Sequence, residues 1–217
     1  AAWLVGVDPR MILGVIEGVD TMTGTPTGQQ GPAPAPTDEA GRFVSVVLAS
    51  TEESWQQVFA QAGQTYRPPK LVLYRGRVGT ACGLGAAASG PFYCPGDETV
   101  YIDLEFFQLM SQQFGAPGDF AQAYVIAHEV GHHVQNLLGR MEQMQSLRQR
   151  VSEQQYNALS VRLELQADCY AGVWANHSQQ ARNWLEHGDL EEGMAAASAV
   201  GDDRMQMQSQ GVVVPDA

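Results

Sequence analysis

Residues 123–139 read AYVIAHEVGHHVQNLLG, and this stretch decides how the rest of the chain is interpreted. It contains the pattern H-E-x-x-H as His128-Glu129-Val130-Gly131-His132. Apolar residues recur around the pattern, which predicts a helix from Asp119 to Leu138 that ends at Gly139. Residues four apart on a helix share one face, so both imidazoles can reach one ion from the same side.

Glu129 lies inside the pattern, beside the first histidine, where its carboxylate can polarise a metal-bound water. The chain contains only five histidines, so a chance match is rare, and two ordinary core or surface histidines are the alternative. His133 faces about 100° away from His132 on a helix, so it is expected to pack or hydrogen-bond rather than ligate. His177 and His187 have no metal-binding spacing and are expected at the surface.

Two histidines leave a catalytic zinc site incomplete, because such a site has three protein ligands and one open position. The metzincin extension is excluded, since Gln135 and Leu138 occupy the positions of its glycine and third histidine. No cysteine lies in an upstream motif suited to a deformylase-like site. The stretch VRLELQADCYAG instead offers Glu164 as the third ligand and Asp168 as an acceptor for a hydrogen bond from His128. An exposed helix face is the alternative, but apolar neighbours surround both carboxylates, and buried carboxylates usually have a partner or a metal.

The composition limits the classes of function. Acidic residues outnumber basic residues 24 to 12, which gives the 217-residue chain a formal charge of −12. Such a chain lacks the positive charge with which proteins bind phosphate backbones, so no nucleic-acid partner is expected. No run of 18 apolar residues occurs, so no transmembrane helix is predicted within these residues. The start, AAWLVGV, has no charged n-region, and we interpret it as the trimmed end of a precursor, next to a removed signal or anchor.

Three cysteines are too few for a disulfide-rich scaffold. Cys82 and Cys94 bracket CGLGAAASGPFYC, a segment rich in glycine and alanine without metal-binding spacing. A disulfide between them is the favoured interpretation, two reduced thiols near a turn being the alternative. The disulfide argues for an oxidising compartment, periplasmic or extracellular. Cys169 then has no predicted partner within the chain.

The chain is predicted to contain three parts. Residues 1–20 form a short apolar helix, and residues 21–41 form a linker rich in proline and glycine. Residues 42–217 form the main domain.

Local patterns in the main domain predict a mostly helical fold. Capping-box patterns at residues 50–53 and 152–155 each indicate the start of a helix. Residues 70–78, KLVLYRGRV, are a predicted strand, and residues 99–104 are a second, since they alternate and are rich in β-branched residues. The predicted class is therefore α+β, mostly helical, with a small β element.

Three separated blocks resemble the bacterial neutral zinc metallopeptidases, gluzincin-type proteins that usually have one N-terminal membrane anchor and an exported domain. The blocks are CGLG…GPFYCPGDETVYIDLEFF, YVIAHEVGHHVQNLLG and LELQADCYAGVWA, and the resemblance covers most of residues 70–215. It implies a zincin-like metallopeptidase core and a peptide or protein substrate. It further implies one zinc ion held by His128, His132 and Glu164, with Glu129 as the catalytic base.

By similarity to zincins, residues 99–104 are expected to form the edge strand above the active-site helix. Substrate would add to it as an antiparallel strand along Val100, Tyr101, Ile102 and Asp103. The family that the chain resembles has a further block, with a histidine and an arginine, after a VVPD-like stretch; either that block lies outside residues 1–217 or the site of this protein is without it. We expect the residue that stabilises the transition state, and a partner for Cys169, in that block.

Zinc-dependent hydrolysis of peptide bonds is the leading functional hypothesis. A catalytically silent, zinc-stabilised binding or regulatory domain would use the same ligands. Glu129 counts against that second hypothesis, because structural zinc needs no base and usually has four protein ligands. A third hypothesis, a membrane- or partner-binding module at residues 8–19, is compatible with either. The sequence indicates neither the cleavage specificity nor the oligomeric state.

Overall fold

The computed structural model describes residues 39–86, 90–113 and 118–200, all of which belong to one compact unit. Within them the helices are α1 (Glu39–Gln61), α2 (Leu104–Gln113), α3 (Asp119–Leu137), α4 (Arg140–Leu147), α5 (Glu153–Arg182) and α6 (Asp189–Val200). The strands are β1 (Lys70–Tyr74), β2 (Arg77–Thr80), β3 (Gly83–Ala86), β4 (Phe92–Cys94) and β5 (Thr99–Asp103). This content agrees with the predicted α+β class. None of the described helices is both long and apolar enough to cross a bilayer.

Helix α1 begins before the end of the predicted linker and well before the predicted capping box at residues 50–53. The predicted linker reached residue 41, but its last three residues, 39–41, already lie in α1, and residues 1–38 are outside the described part. The capping-box pattern at residues 50–53 is in the middle of this helix. Ser50 is buried there, and two contacts satisfy its hydroxyl. It hydrogen-bonds the Ser178 hydroxyl at 2.8 Å and accepts from the indole of Trp174 at 3.1 Å.

Three strands form a sheet of order β1-β5-β4. β5 is its central strand, parallel to β1 and antiparallel to β4, and all of its residues are buried. The prediction that β5 is an edge strand is therefore wrong, because its backbone is paired on both sides. The residues it assigned to substrate binding are enclosed: Val100, Tyr101, Ile102 and Asp103. In this sheet β1 and β4 are the edges.

The single strand predicted over residues 70–78 is two strands. β1 ends at Tyr74, and Gly76, with φ at 80°, turns the chain into β2, which pairs antiparallel with β3 in a separate two-stranded sheet. A left-handed backbone angle of this kind suits glycine, which has no Cβ to clash. The single-strand prediction failed because residues 70–78 include a turn at Gly76 that the strand pattern did not reveal.

α3 is the central element of the core. It packs against α1, α5 and α6 and against strands β4 and β5, and the face it buries includes Val125, Ile126, Val130 and Val134. α5, its main partner, begins at the predicted capping box: Ser152 Oγ accepts from the Gln155 backbone at 3.2 Å, and Gln155 Oε1 accepts from the Ser152 backbone at 3.0 Å.

The crossing of α3 and α5 is unusually close at Gly131. A Cβ added there would lie 3.0 Å from the carbonyl oxygen of Ala167 and 3.1 Å from its Cα. Both contacts are with backbone atoms, so neither helix can yield by moving a side chain. Glycine at this position therefore permits the distance at which α5 can reach the residues flanking Gly131.

We expect Gly131→Ala to destabilise the protein by about 1–3 kcal/mol, because the methyl group overpacks the crossing and outweighs the better helix propensity of alanine. Gly172→Ala is the matched control, since Gly172 lies exposed on α5 with open space around it. That variant should gain up to about 1 kcal/mol. Chemical denaturation of the metal-free proteins measures both changes, and equal stability of the two variants would contradict the close crossing.

Candidate metal centre

Three side chains from two helices converge at one point. α3 presents His128 and His132 on one face, with ring centroids 4.7 Å apart and ring planes at 86°. α5 presents Glu164, whose Oε2 lies 3.3 Å from Nε2 of His128 and 3.2 Å from Nε2 of His132. One donor atom from each residue lies within 4.8 Å of the other two. The structure therefore brings the three predicted ligands together.

The donor spacing fits a zinc ion. Bonds of about 2.0–2.2 Å put the ligand atoms of tetrahedral zinc about 3.3–3.5 Å apart, and the two measured separations are 3.2 and 3.3 Å. Two imidazoles and one carboxylate also form a donor set that zinc uses, with one position left for water or substrate. The Glu164 side chain is 40% exposed, so the centre can be reached from solvent.

His128 is oriented by a hydrogen bond on the far side of its ring. Its Nδ1 lies 2.8 Å from Oδ1 of Asp168, and the Tyr124 hydroxyl donates to the same oxygen. A carboxylate acceptor keeps the proton on Nδ1 and leaves the Nε2 lone pair directed at the metal position. The structure thus places Asp168 where the sequence predicted it. Tyr124 was not predicted, although it lies four residues before His128 on the same helical face.

His132 is oriented by Gln135, a residue that sequence reasoning used only to exclude metzincins. Nδ1 of His132 lies 2.9 Å from Oε1 of Gln135. The Gln135 side chain is fully buried, and its Nε2 donates to the Leu163 carbonyl at 2.7 Å. This amide links one ligand histidine on α3 to the part of α5 that carries Glu164. The i, i+3 spacing of His132 and Gln135 was the available sequence signal.

The charges of the centre favour a cation between its donors. Burial tends to lower the pKa of His128, but hydrogen bonds to Asp168 and Glu164 raise it to about 10. Burial tends to raise the pKa of Glu164, but hydrogen bonds from the two histidines hold it well below its usual range. The metal-free site thus attracts protons to the point where a divalent cation would bind, and a metal must displace those protons.

Glu129 is a buried carboxylate beside this centre, with 7% of its surface exposed. Burial raises its pKa, although the positive charges of His132 and His128 and a hydrogen bond from the Tyr93 backbone oppose the shift. A carboxylate with a raised pKa accepts a proton more readily than an exposed one, which is the property required of a general base.

His133 does not belong to the ligand set and hydrogen-bonds within the core instead. It is fully buried, its Nε2 donates to the Arg67 carbonyl at 2.6 Å, and its Nδ1 accepts from the Tyr93 hydroxyl at 3.0 Å. Asn136 donates to the same hydroxyl at 3.0 Å. Burial lowers the pKa of His133, which keeps the ring neutral. These bonds attach strand β4, through Tyr93, to the helix that carries the two ligand histidines.

No cysteine belongs to the group of candidate ligands. The predicted Cys82–Cys94 disulfide is confirmed, with Cα atoms 5.8 Å apart, and it joins the hairpin end to β4. Cys169 is free and exposed on α5. His187 is exposed as expected, whereas His177 is half-buried on α5, and neither belongs to the group of donors described above.

The chain is similar to a known protein family and to bacterial proteins. A family model described as "Putative neutral zinc metallopeptidase" matches residues 1–217. The chain is 57% identical over 199 residues to uncharacterized protein YpfJ of Escherichia coli K12, which covers 90% of this chain and 69% of that protein. It is 40% identical over 225 residues to uncharacterized protein Rv2575 of Mycobacterium tuberculosis H37Rv, covering 99% of this chain and 75% of that protein. No solved structure matches significantly.

We expect Asp168→Ala to weaken zinc binding about 10- to 100-fold, because His128 loses the acceptor that orients its ring. Cys169→Ala is the control, since this neighbour lies exposed on the same helix and is not one of the candidate ligands. Competition with a chromophoric chelator measures both affinities. Equal zinc affinity of the two variants would show that Asp168 does not orient the ligand.

Proposed function

Because the chain belongs to the neutral zinc metallopeptidase family, we propose that it is a zinc-dependent peptidase of the gluzincin type. The observation that carries the proposal is the convergence of His128, His132 and Glu164 on one point, with a buried Glu129 beside them. A zincin-like core, in which one helix supplies two histidines and a second supplies a glutamate, accounts for this arrangement. It also accounts for the place of Asp168 and Gln135 behind the histidines.

The zinc ion, when bound, supplies a water of depressed pKa and polarises the carbonyl of the scissile bond. Glu129 accepts the proton of the attacking water and passes it to the leaving amine. Its burial supports this role, because a raised pKa makes this carboxylate a stronger proton acceptor than an exposed one. Asp168 and Gln135 hold the two imidazole rings, so the donor atoms need no reorganisation when a metal binds.

β4 replaces β5 as the strand along which we propose that substrate lies. It is an edge of the three-stranded sheet and its antiparallel partner is β5. Tyr93 attaches it to the helix that carries the two histidines, since its hydroxyl bonds His133 and Asn136. An extended peptide on this side would pass the metal position with its backbone aligned by the sheet.

The protein is further proposed to act outside the cytoplasm, tethered through its N-terminal region to a membrane. The Cys82–Cys94 disulfide supports an oxidising compartment. The proline- and glycine-rich composition of residues 21–38 supports a tether.

The test is cleavage of an unfolded, mixed-sequence polypeptide by the zinc-loaded protein, with products identified by mass spectrometry. We expect new cleavage sites in the wild type and none with Glu129→Gln, which should still bind one zinc ion because it keeps all three ligands. Glu164→Ala should lose both zinc affinity and cleavage. Zinc binding without cleavage in the wild type would contradict the peptidase and favour a silent binding domain.

A further inference from the structure

A cleft leads away from the metal centre along α4. Its volume is about 600 Å³, and its lining includes two of the candidate ligands, His132 and Glu164, at one end. One wall is formed by α4 and another by the first three turns of α5, from Tyr156 to Leu163. Residues Pro95 and Gly96, which directly follow β4, border the same space. The cleft is therefore continuous with the site proposed for peptide hydrolysis.

One face of α4 supplies the side chains that line this wall. Met141, Met144, Gln145 and Arg148 follow at spacings of three, four and seven residues, which places them on one side of a helix. The two methionines and Leu163 of α5 give the cleft an apolar stretch. Flexible methionine side chains suit a surface that must accept different apolar partners.

Among the described residues that line the cleft, Arg148 is the only arginine or lysine, and it stands at the end of α4. Its guanidinium lies 5.9 Å from the ring centroid of Tyr156, which holds it by a cation–π contact. Among the described residues it makes no ion pair. Glu142, the other charged residue of α4 that lines the cleft, is six residues away, about 9 Å along the helix. An unpaired guanidinium in a strongly acidic chain is available to a carboxylate from outside.

The distance from Arg148 to the metal position can be estimated along α5, because Arg148 lies against Tyr156 and Glu164 is a candidate ligand. Tyr156 precedes Glu164 by eight residues on α5, which is about 12 Å along the helix axis. An extended peptide advances about 3.3 Å per residue, so the Arg148 end lies about three or four residues from a bond at the metal.

We propose that this cleft binds the substrate chain beside the scissile bond and that Arg148 binds a substrate carboxylate three or four residues from that bond. This inference rests on the proposed peptidase function, because only a peptidase has a scissile bond from which the subsite can be counted. The apolar stretch between the two ends takes the intervening side chains. The carboxylate belongs either to an acidic side chain or to the C-terminus of the peptide, and the guanidinium fork recognises both in the same way.

The test measures peptide binding to zinc-loaded Glu129→Gln, which keeps the metal ligands. The probes are ten-residue peptides of one apolar sequence in which a single Glu, or a single Gln, is moved one position at a time. Each peptide is made with a C-terminal acid and with a C-terminal amide. Affinity is measured by competition with a labelled peptide, at low and high salt.

We expect one position of Glu, or the C-terminal acid, to bind about fivefold more tightly than its neutral counterpart, as for a solvent-accessible ion pair. Adding Arg148→Gln should remove this difference, and Arg148→Lys should retain part of it. Arg150→Gln is the matched control: it removes the same charge from an exposed residue that does not line the cleft, and should retain the difference.

No gain from a carboxylate at any position, or equal losses with Arg148→Gln and Arg150→Gln, would overturn the inference. Cleavage by the wild type without an Arg148-dependent preference would support the peptidase function and contradict only the subsite. An Arg148-dependent preference in binding, without cleavage by the wild type, would support the subsite and contradict the peptidase.

Discussion

The close crossing of α3 and α5 is the constraint on which the rest of the site depends. Gly131 lies against the backbone of Ala167, and the candidate ligands are placed around this contact. His128 and His132 flank the glycine on one helix, and Glu164 precedes the alanine by one turn on the other. A wider crossing would move the carboxylate away from both imidazoles, whose Nε2 atoms it now approaches within 3.3 Å. The contact between Gly131 and the Ala167 backbone therefore sets both the packing of the two helices and the spacing of the candidate ligands.

The polar groups behind the ligands make this arrangement stable in a low-dielectric environment. Buried imidazoles and carboxylates are costly unless their hydrogen bonds are satisfied. Asp168 and Gln135 each satisfy one Nδ1, so the remaining capacity of both rings is directed toward Glu164. Gln135 also bonds the backbone of α5, which couples the orientation of a ligand to the position of the helix that carries its partner. The result is a centre that already has the shape needed to receive a cation.

The sequence was sufficient for features that depend on local spacing. The i, i+4 spacing of the two histidines, and of Glu164 and Asp168, has one geometric outcome on a helix, and the structure shows it. Features that depend on remote contacts were missed or wrong. The edge position predicted for β5 failed because β1 pairs from a distant part of the chain. The capping box at Ser50 failed because contacts with Ser178 and Trp174 let its hydroxyl lie inside a helix. The bond from Gln135 to the Leu163 carbonyl and the α4 wall of the cleft depend on the position of α5, which no local spacing predicts.

The central claim is that two histidines and one glutamate hold a single zinc ion next to a buried base. Zinc-edge anomalous diffraction from crystals of the zinc-loaded protein tests it most directly. The account predicts one strong peak about 2.0–2.2 Å from Nε2 of His128, Nε2 of His132 and a carboxylate oxygen of Glu164, with the fourth position open to solvent. A zinc ion bound by other residues, or a fourth protein ligand that closes the site, would contradict it.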